Sequence, residues 1–491
     1  MSRLKQETLN GVKWGVLQKM TLQPLQLVYG MVLARLITPA EMGIVGLTAI
    51  FFALAHQLAS AGFGMALIRK LDRTEEDMNT MFWFNIVMSF IMGLLLFLLA
   101  PWFAEFYKQP ELLWLTRVSA VMMFLNSSAS VHWTLYQCRR DFKTPAIINT
   151  ITVIAGMPVC LTLAWMGWGV WALMWQGIFT SVLSLIIVWR VSPWKPRFMF
   201  SKASFLSLFS FGGKIAYGGI LDCIYFELHT FVIGKFYSPA QLGLYSRGNQ
   251  LGRTLPMTLQ GVLGNVMYPV LSTVQNDNER LVSAYRKYIK ACSLIISWFT
   301  VWTIAMAEPA VKLMYGVNWM GCVIFVQIIA FRMTYSYINT INVSLLMVKG
   351  KAGLLLGLEI VKKSISVLTV LLAASISVEA ICWGSAIVAY IALLINSYFV
   401  GKECGLTSWR QQKDFLPYIA WAAISCVPAW LCTMTDLPAF LQLLIGGCTA
   451  FLLYFGGLHL FRDSIYVELY QMARRRLGNR WLPPMDAGSP S

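Results

Sequence analysis

A ten-residue stretch occurs twice in this chain, 200 positions apart, and each copy joins two long apolar segments. Ala34-Arg35-Leu36-Ile37-Thr38-Pro39-Ala40-Glu41-Met42-Gly43 returns as Gly234-Lys235-Phe236-Tyr237-Ser238-Pro239-Ala240-Gln241-Leu242-Gly243. Pro, Ala and Gly are identical in the two copies. The changes Arg/Lys, Thr/Ser, Glu/Gln and Met/Leu keep the chemistry. A half-chain duplication inside a hydrophobic sequence is the mark of a carrier built from two repeats around a central site. It points to transport rather than to catalysis.

The rest of the chain supports a membrane reading. It is 57% hydrophobic and only 12% charged, with a mean hydropathy of +0.62. The predicted fold class is an all-α integral membrane protein with 14 transmembrane helices. They are placed near 11–34, 42–66, 80–101, 112–137, 145–166, 169–189, 208–234, 241–270, 291–309, 320–347, 352–374, 378–400, 415–433 and 438–461. At roughly 21 residues per span these helices absorb most of the chain, leaving short loops and no soluble domain.

Charge sets the expected orientation. With the N-terminus cytoplasmic, 26 Lys and Arg fall on the inner side, five of them in the tail (Arg462, Arg474, Arg475, Arg476 and Arg480). Lys108, Lys235 and Lys312 fall outside, with Arg35 at a boundary. This is the positive-inside pattern, and omitting one helix would invert it downstream. Both termini are therefore expected in the cytoplasm. The net charge of +17 is spread over loops, so nucleic acid is not an expected partner. The Arg474-Arg475-Arg476 run could lie on anionic headgroups or in water. The polar start and long first helix argue against a cleaved signal peptide. Ten scattered Cys without a C-x-x-C pair read as core residues, and four lone His show no ligand spacing, so no metal or cofactor is expected.

Nine basic residues lie inside the predicted helices: Lys13, Lys19, Arg117, Lys214, Arg247, Arg253, Arg332, Lys362 and Lys363. They meet three acids, Asp222, Glu227 and Glu359, a surplus of +6. A charge at bilayer depth is costly unless it faces water or a partner. Lys13 can snorkel to the interface, Arg117 can reach outer headgroups, and Lys363 can pair with Glu359 one turn away.

Spacing groups the others. On the first helix Lys19, Gln23, Gln26 and Gly30 form one stripe. On the seventh, Lys214, Tyr217, Gly218 and Tyr225 share a face, flanked by Asp222 and His229. The eighth carries Arg247 with Gln250, and Arg253 turned from them. The tenth carries Arg332, Tyr335, Asn339 and Asn342. These stripes predict a hydrated cationic cavity between two lobes. Lys19, Lys214, Arg247, Arg253 and Arg332 are the candidate anion-binding residues. Gln23, Gln26, Tyr217, Tyr225, Gln250, Tyr335, Asn339 and Asn342 are the candidate lining. Asp222 and Glu227 could couple an ion, although Asp222 also suits a neighbouring cation. Lys and Arg suit phosphate and diphosphate groups. An exporter of organic cations should show net acidic helices instead.

Several segments resemble the polysaccharide transporter family of flippases. They are Gly11-Val12-Lys13-Trp14, the first copy of the repeat, Ser60-Ala61-Gly62-Phe63-Gly64-Met65-Ala66-Leu67-Ile68-Arg69-Lys70, Tyr268-Pro269-Val270-Leu271-Ser272, Asn278-Glu279-Arg280-Leu281 and Leu313-Met314-Tyr315-Gly316-Val317-Asn318-Trp319. The likeness spans about residues 5–405 and is strongest to exporters of the colanic acid and teichuronic acid type, in the multidrug/oligosaccharidyl-lipid/polysaccharide exporter superfamily. It implies two six-helix lobes in a parallel pseudo-two-fold repeat plus two C-terminal helices. The corresponding ranges are 1–205 and 206–405 for the lobes, 406–462 for the last two helices and 463–491 for a cytoplasmic tail.

The resemblance also implies a polyprenyl-diphosphate-linked oligosaccharide as substrate, turned from the inner to the outer leaflet of a bacterial cytoplasmic membrane. Membrane lipids are expected partners, as are the polymerase and glycosyltransferases of the same pathway, and two complete lobes make a monomer the expected functional unit. A flippase for a peptidoglycan precursor and a multidrug exporter of the same superfamily are the alternatives. A membrane glycosyltransferase or polymerase would be expected to show outward acidic groups and a large outer loop. The outer loops here are short and lack D-x-D, so an enzyme is not expected.

Overall fold

The computed structural model describes residues 3–60 and 62–477, without the side chains of 3–13, 16, 262–266, 268, 269, 352, 472, 473 and 475–477. The readings made on Ala61, on the side chains of Lys13, Tyr268, Pro269, Arg475 and Arg476, and on Arg480 fall outside that description. The helices are α1 (Arg3–Leu36), α2 (Pro39–Ser60), α3 (Phe63–Arg69), α4 (Glu75–Phe106), α5 (Leu112–Cys138), α6 (Lys143–Trp165), α7 (Val170–Val191), α8 (Lys202–Phe236) and α9 (Pro239–Thr273). There follow α10 (Asn278–Ala305), α11 (Ala307–Met314), a short 3-10 turn (Val317–Cys322), α12 (Val323–Val348), α13 (Ala352–Ala373), α14 (Val378–Cys404), α15 (Ser408–Cys432), α16 (Ala439–Leu460) and α17 (Ser464–Leu477).

Fourteen of these have 22 residues or more, and each overlies one predicted segment. Among the described residues ten spans are long and apolar enough to cross a membrane. The other four long helices are α1, α8, α9 and α13, which carry most of the intrahelical charges named above. Several boundaries differ from expectation, and two of them have a clear local cause. The helix predicted over 42–66 stops at Ser60, because Gly62 turns left-handed with φ 69° and backs onto the Gly212 carbonyl of α8. The helix predicted from 291 starts at Asn278, where the Asp277 side chain accepts from the Arg280 N–H at 3.1 Å.

The chain forms two compact units. The first comprises Met1–Ser246 with Met314–Asn318, the second Arg247–Leu313 with Trp319–Ser491. In the first, α4 packs on α5, α6 on α7, α1 on α6, and α8 against α2, α3 and α4. Close approach through small residues drives helix association in lipid, where apolar side chains gain little by leaving the bilayer. Gly93 of α4 faces Ala120 of α5, and Gly219 of α8 faces Gln57 of α2. The large side chains Phe90, Ile91, Leu94 and Leu98 of α4 point outward. A strap over residues 192–201 is tied to α4: Asn79 accepts from the Arg197 N–H at 2.6 Å, and Trp83 donates to the Arg197 carbonyl at 2.8 Å.

The duplicated motif lies in this first unit, and its two copies touch. Thr38 and Glu41 form a reciprocal cap at the start of α2. The Thr38 N–H and hydroxyl donate to the Glu41 carboxylate at 2.7 and 2.8 Å, and the Glu41 N–H donates to Thr38 Oγ1 at 3.3 Å. Ser238 caps α9 in the same way, accepting from the Gln241 N–H at 3.3 Å. Pro39 and Pro239 each occupy the first helical position, where no N–H is needed. A Cβ on Gly43 would lie 1.8 Å from the Pro239 carbonyl oxygen, and one on Gly243 would lie 1.8 Å from that of Pro39. The two helix starts thus meet backbone to backbone, each copy serving the other alike.

The second unit is built around α10, which packs on α12 and α15; α14 joins α12 and α13, and α16 joins α15. Tyr285, Ile289, Ile296, Ile338, Leu345 and Phe415 belong to its core. Arg286 donates twice to Asp414 at 2.7 and 2.8 Å, fastening α15 to α10, and Lys290 lies 3.6 Å from the same carboxylate.

Gly43→Ala is expected to destabilise the protein by about 1–3 kcal/mol, since a methyl group there collides with backbone that cannot yield. Gly46→Ala, whose methyl would meet only Leu242 and Ser246 at 3.8 Å, should be nearly neutral. Thermal denaturation in detergent compares them. Equal midpoints would show that the backbone contact does not limit stability.

Candidate functional site

The candidate residues separate between the two units. In the first, Lys19, Gln23 and Gln26 are all exposed along α1, and Lys214, Tyr217 and Asp222 are exposed along α8. Tyr225 and Glu227 are half-buried. His229 stacks on Tyr245, with ring centroids 6.4 Å apart. Apolar neighbours on the same helices, Met20, Leu25 and Val28 of α1 and Leu221 and Ile224 of α8, are exposed as well.

In the second unit the cations sit among partners. Arg247 is buried, donates from Nη1 to Gln250 Oε1 at 2.9 Å and lies 5.9 Å from the Trp319 ring centroid. Gly248 and Gly252 on the same helix let its backbone press on Phe325 and on the Val326 carbonyl of α12. Arg253 and Arg332 are half-buried. The second unit also places Lys362, itself buried, 2.5 Å from Glu359 and 3.3 Å from Asn396 Oδ1. Arg117 of the first unit lies between Phe97 and Trp114, at 4.5 and 4.8 Å from their centroids.

Three residues read as cavity lining hold helices together. The Tyr335 hydroxyl is buried and donates to the Ala386 carbonyl at 2.7 Å. Asn339 donates to the Ala389 carbonyl at 3.2 Å and accepts from Asn396 at 3.1 Å. Asn342 is fully buried, accepts from Tyr285 and donates to Ser397 at 3.2 Å. These bonds tie α12 to α14 and α10. Their regular spacing marks a polar face, but that face is turned toward other helices and not toward water.

A cavity of about 400 Å³ opens within the first unit, among α1, α5, α6 and α7. Gln26, Asn126, Asn149, Gln176, Thr180 and Ser184 contribute polar groups to its wall, and among the described residues no charged side chain lines it. Tyr29 donates to Gln176 Oε1 at 2.6 Å across it. Of the candidate residues only Gln26 reaches this cavity. Its sequence signal is the four-residue stepping of Gln176, Thr180 and Ser184, which a search weighted to charge passes over.

This is the fold of multi-helix membrane exporters. The lipid II flippase MurJ in its inward closed conformation superposes with a TM-score of 0.68 at 12% identity, over 92% of this chain and all of that one. An inward-facing MATE multidrug transporter of the MOP superfamily superposes with a TM-score of 0.60 at 15% identity, over 77% of this chain and 94% of that one. The chain itself belongs to the polysaccharide biosynthesis protein family, whose pattern matches residues 32–324.

Among its relatives, the succinoglycan biosynthesis transport protein ExoT of Rhizobium meliloti is 28% identical over 63% of this chain, which spans 62% of that protein's length. The teichuronic acid biosynthesis protein TuaB of Bacillus subtilis is 22% identical over 72% of this chain and 74% of its own. The lipopolysaccharide biosynthesis protein WzxC of Escherichia coli is 20% identical over 83% of this chain and 84% of its own. Family membership and ten described helices long and apolar enough to cross a membrane make it a multi-pass membrane protein of polysaccharide biosynthesis.

The single substitutions Lys19→Cys and Tyr217→Cys are expected to give thiols that react with a water-soluble maleimide in membranes, whereas Tyr335→Cys and Asn342→Cys are not. The native Cys138, Cys223, Cys432 and Cys448, which are not buried, would first be changed to Ser. Unreactive thiols in the Lys19→Cys and Tyr217→Cys variants would mean that these faces meet lipid and not water.

Proposed function

We propose that the protein flips a polyprenyl-diphosphate-linked oligosaccharide from the cytoplasmic to the outer leaflet, supplying repeat units for a surface polysaccharide. The observation that carries this reading is the joining of two facts: membership of the polysaccharide biosynthesis family and a surplus of cations on the helices of an exporter fold. A diphosphate needs fixed positive charge, and guanidinium and ammonium groups supply it. Lys19 and Lys214, both exposed on long helices, are the first contacts. Arg247, Arg253 and Arg332 form the second set.

In this reading all fourteen long helices cross the bilayer, with both termini in the cytoplasm and the basic loops on that side. Residues 1–205 and 206–405 act as two lobes that rock in alternation, 406–462 adds two peripheral helices, and one chain suffices. The prenyl tail stays in lipid while the headgroup crosses in water. Gln23, Gln26 and Tyr217 line its path beside the two lysines. Asp222 and Glu227 are the acids available for ion coupling. The membrane is the bacterial cytoplasmic membrane, and the partners are the glycosyltransferases and polymerase that build and use the repeat unit.

Lys19→Ala with Lys214→Ala should abolish translocation of a defined polyprenyl-diphosphate oligosaccharide in proteoliposomes, scored by access of its sugar at the far leaflet. Each lost charge-assisted hydrogen bond costs about 1.5–3 kcal/mol, roughly a 10- to 100-fold loss of affinity. Full transfer by the double variant would sink the cationic pathway. Rescue of a capsule-defective strain but not of a peptidoglycan-defective one is the expected result in cells.

A further inference from the structure

The polar cavity among α1, α5, α6 and α7 meets the charge-based pathway above only at Gln26, yet it lies where polar groups are hardest to keep. Gln176, Thr180 and Ser184 occupy the middle of α7, and Asn126 that of α5. Both helices are apolar enough to cross a membrane. Uncompensated amides and hydroxyls at such depth are costly, so they collect around water or a ligand. A volume of about 400 Å³ lies within the range of small-molecule sites. Filled with water alone it would hold on the order of a dozen molecules.

The chemistry of the wall selects the ligand class. Side-chain amides donate and accept at once, and hydroxyls do the same, matching the paired hydroxyls of a sugar ring. Among the described residues no carboxylate, ammonium or guanidinium lines the cavity to attract an ion. The Thr180 hydroxyl donates to the Gly177 carbonyl at 3.0 Å, which leaves its lone pairs free to accept.

Position connects this cavity to Lys19. Gln26, on its wall, shares the α1 stripe with that lysine and lies seven residues farther along, about 10 Å at the helical rise. We infer that this cavity is a sugar subsite: it receives the uncharged pyranose units next to a diphosphate held at Lys19, through Asn149, Gln176, Thr180 and Ser184. The inference rests on the flippase reading and adds the part of the protein that recognises the saccharide.

Binding to the purified full-length protein, followed by microscale thermophoresis, tests it. The probes are a short-chain prenyl diphosphate and the same lipid carrying a neutral hexose trisaccharide. The wild type is expected to bind the glycosylated probe about tenfold tighter, the yield of one or two net hydrogen bonds. Asn149→Ala with Gln176→Ala should remove most of that advantage and leave the bare diphosphate affinity unchanged.

A full sugar advantage in the variant, or none in the wild type, overturns the subsite while leaving the flippase reading in place. No binding of either probe by the wild type overturns both. If the double variant loses both probes, Thr180→Val with Ser184→Ala decides, because it spares the Tyr29–Gln176 bond. A several-fold loss confined to the glycosylated probe supports the subsite, and an unchanged preference overturns it.

Discussion

The contact on which the first unit turns is made of backbone alone. Gly43 and Gly243 each admit the other copy's proline carbonyl to a place where any side chain would stand. Two helix starts are brought together this way, and their positive ends would repel. Glu41 offsets that. Its carboxylate caps α2 and also lies against Gly169, which opens α7 with φ 52°. A Cβ at Gly169 would sit 2.2 Å from the Glu41 oxygen. One carboxylate thus lies at two helix starts, and the backbone angle at Gly169 favours glycine there.

Away from that contact the two units are held by different means. The first unit relies on small residues and aromatic stacks, as where Phe63 meets Phe84 at 4.4 Å between centroids. The second adds a web of buried hydrogen bonds. Tyr285 reaches Asn342 and Gln411, and Gln411 donates on to the Ser397 and Leu406 carbonyls. The Tyr454 hydroxyl donates to the Leu294 carbonyl, joining α16 to α10. In lipid such bonds give direction to helices that hydrophobicity alone would leave free to slide.

The long helices were readable because a bilayer imposes a length and a polarity that few other environments impose. The caps were readable too: Thr38-Pro39-Ala40-Glu41 carries its own start signal. Less was legible of which way a polar stripe faces. Tyr335, Asn339 and Asn342 have the same periodicity as Lys19, Gln23 and Gln26, since a helix turned to a neighbour and a helix turned to water repeat alike. Charge breaks the tie only where burial would strand it. The uncharged cavity was hidden for a related reason: Asn126, Asn149 and Gln176 stand on three helices, and nothing in linear spacing says that those helices converge. The break at Gly62 depends on the Gly212 carbonyl, some 150 positions away in the sequence.

The reciprocity of the Gly43–Gly243 contact constrains how the two halves of the chain can diverge. In most helix contacts a larger residue on one side can be answered by a smaller one on the other, and the pair drifts together. Here each glycine answers not its twin but a carbonyl, and a carbonyl cannot shrink. Neither copy can be repaired by a change in the other. The halves can differ in charge, as Glu41 and Gln241 do, while the geometry at Gly43 and Gly243 holds both copies to the same backbone form where they touch.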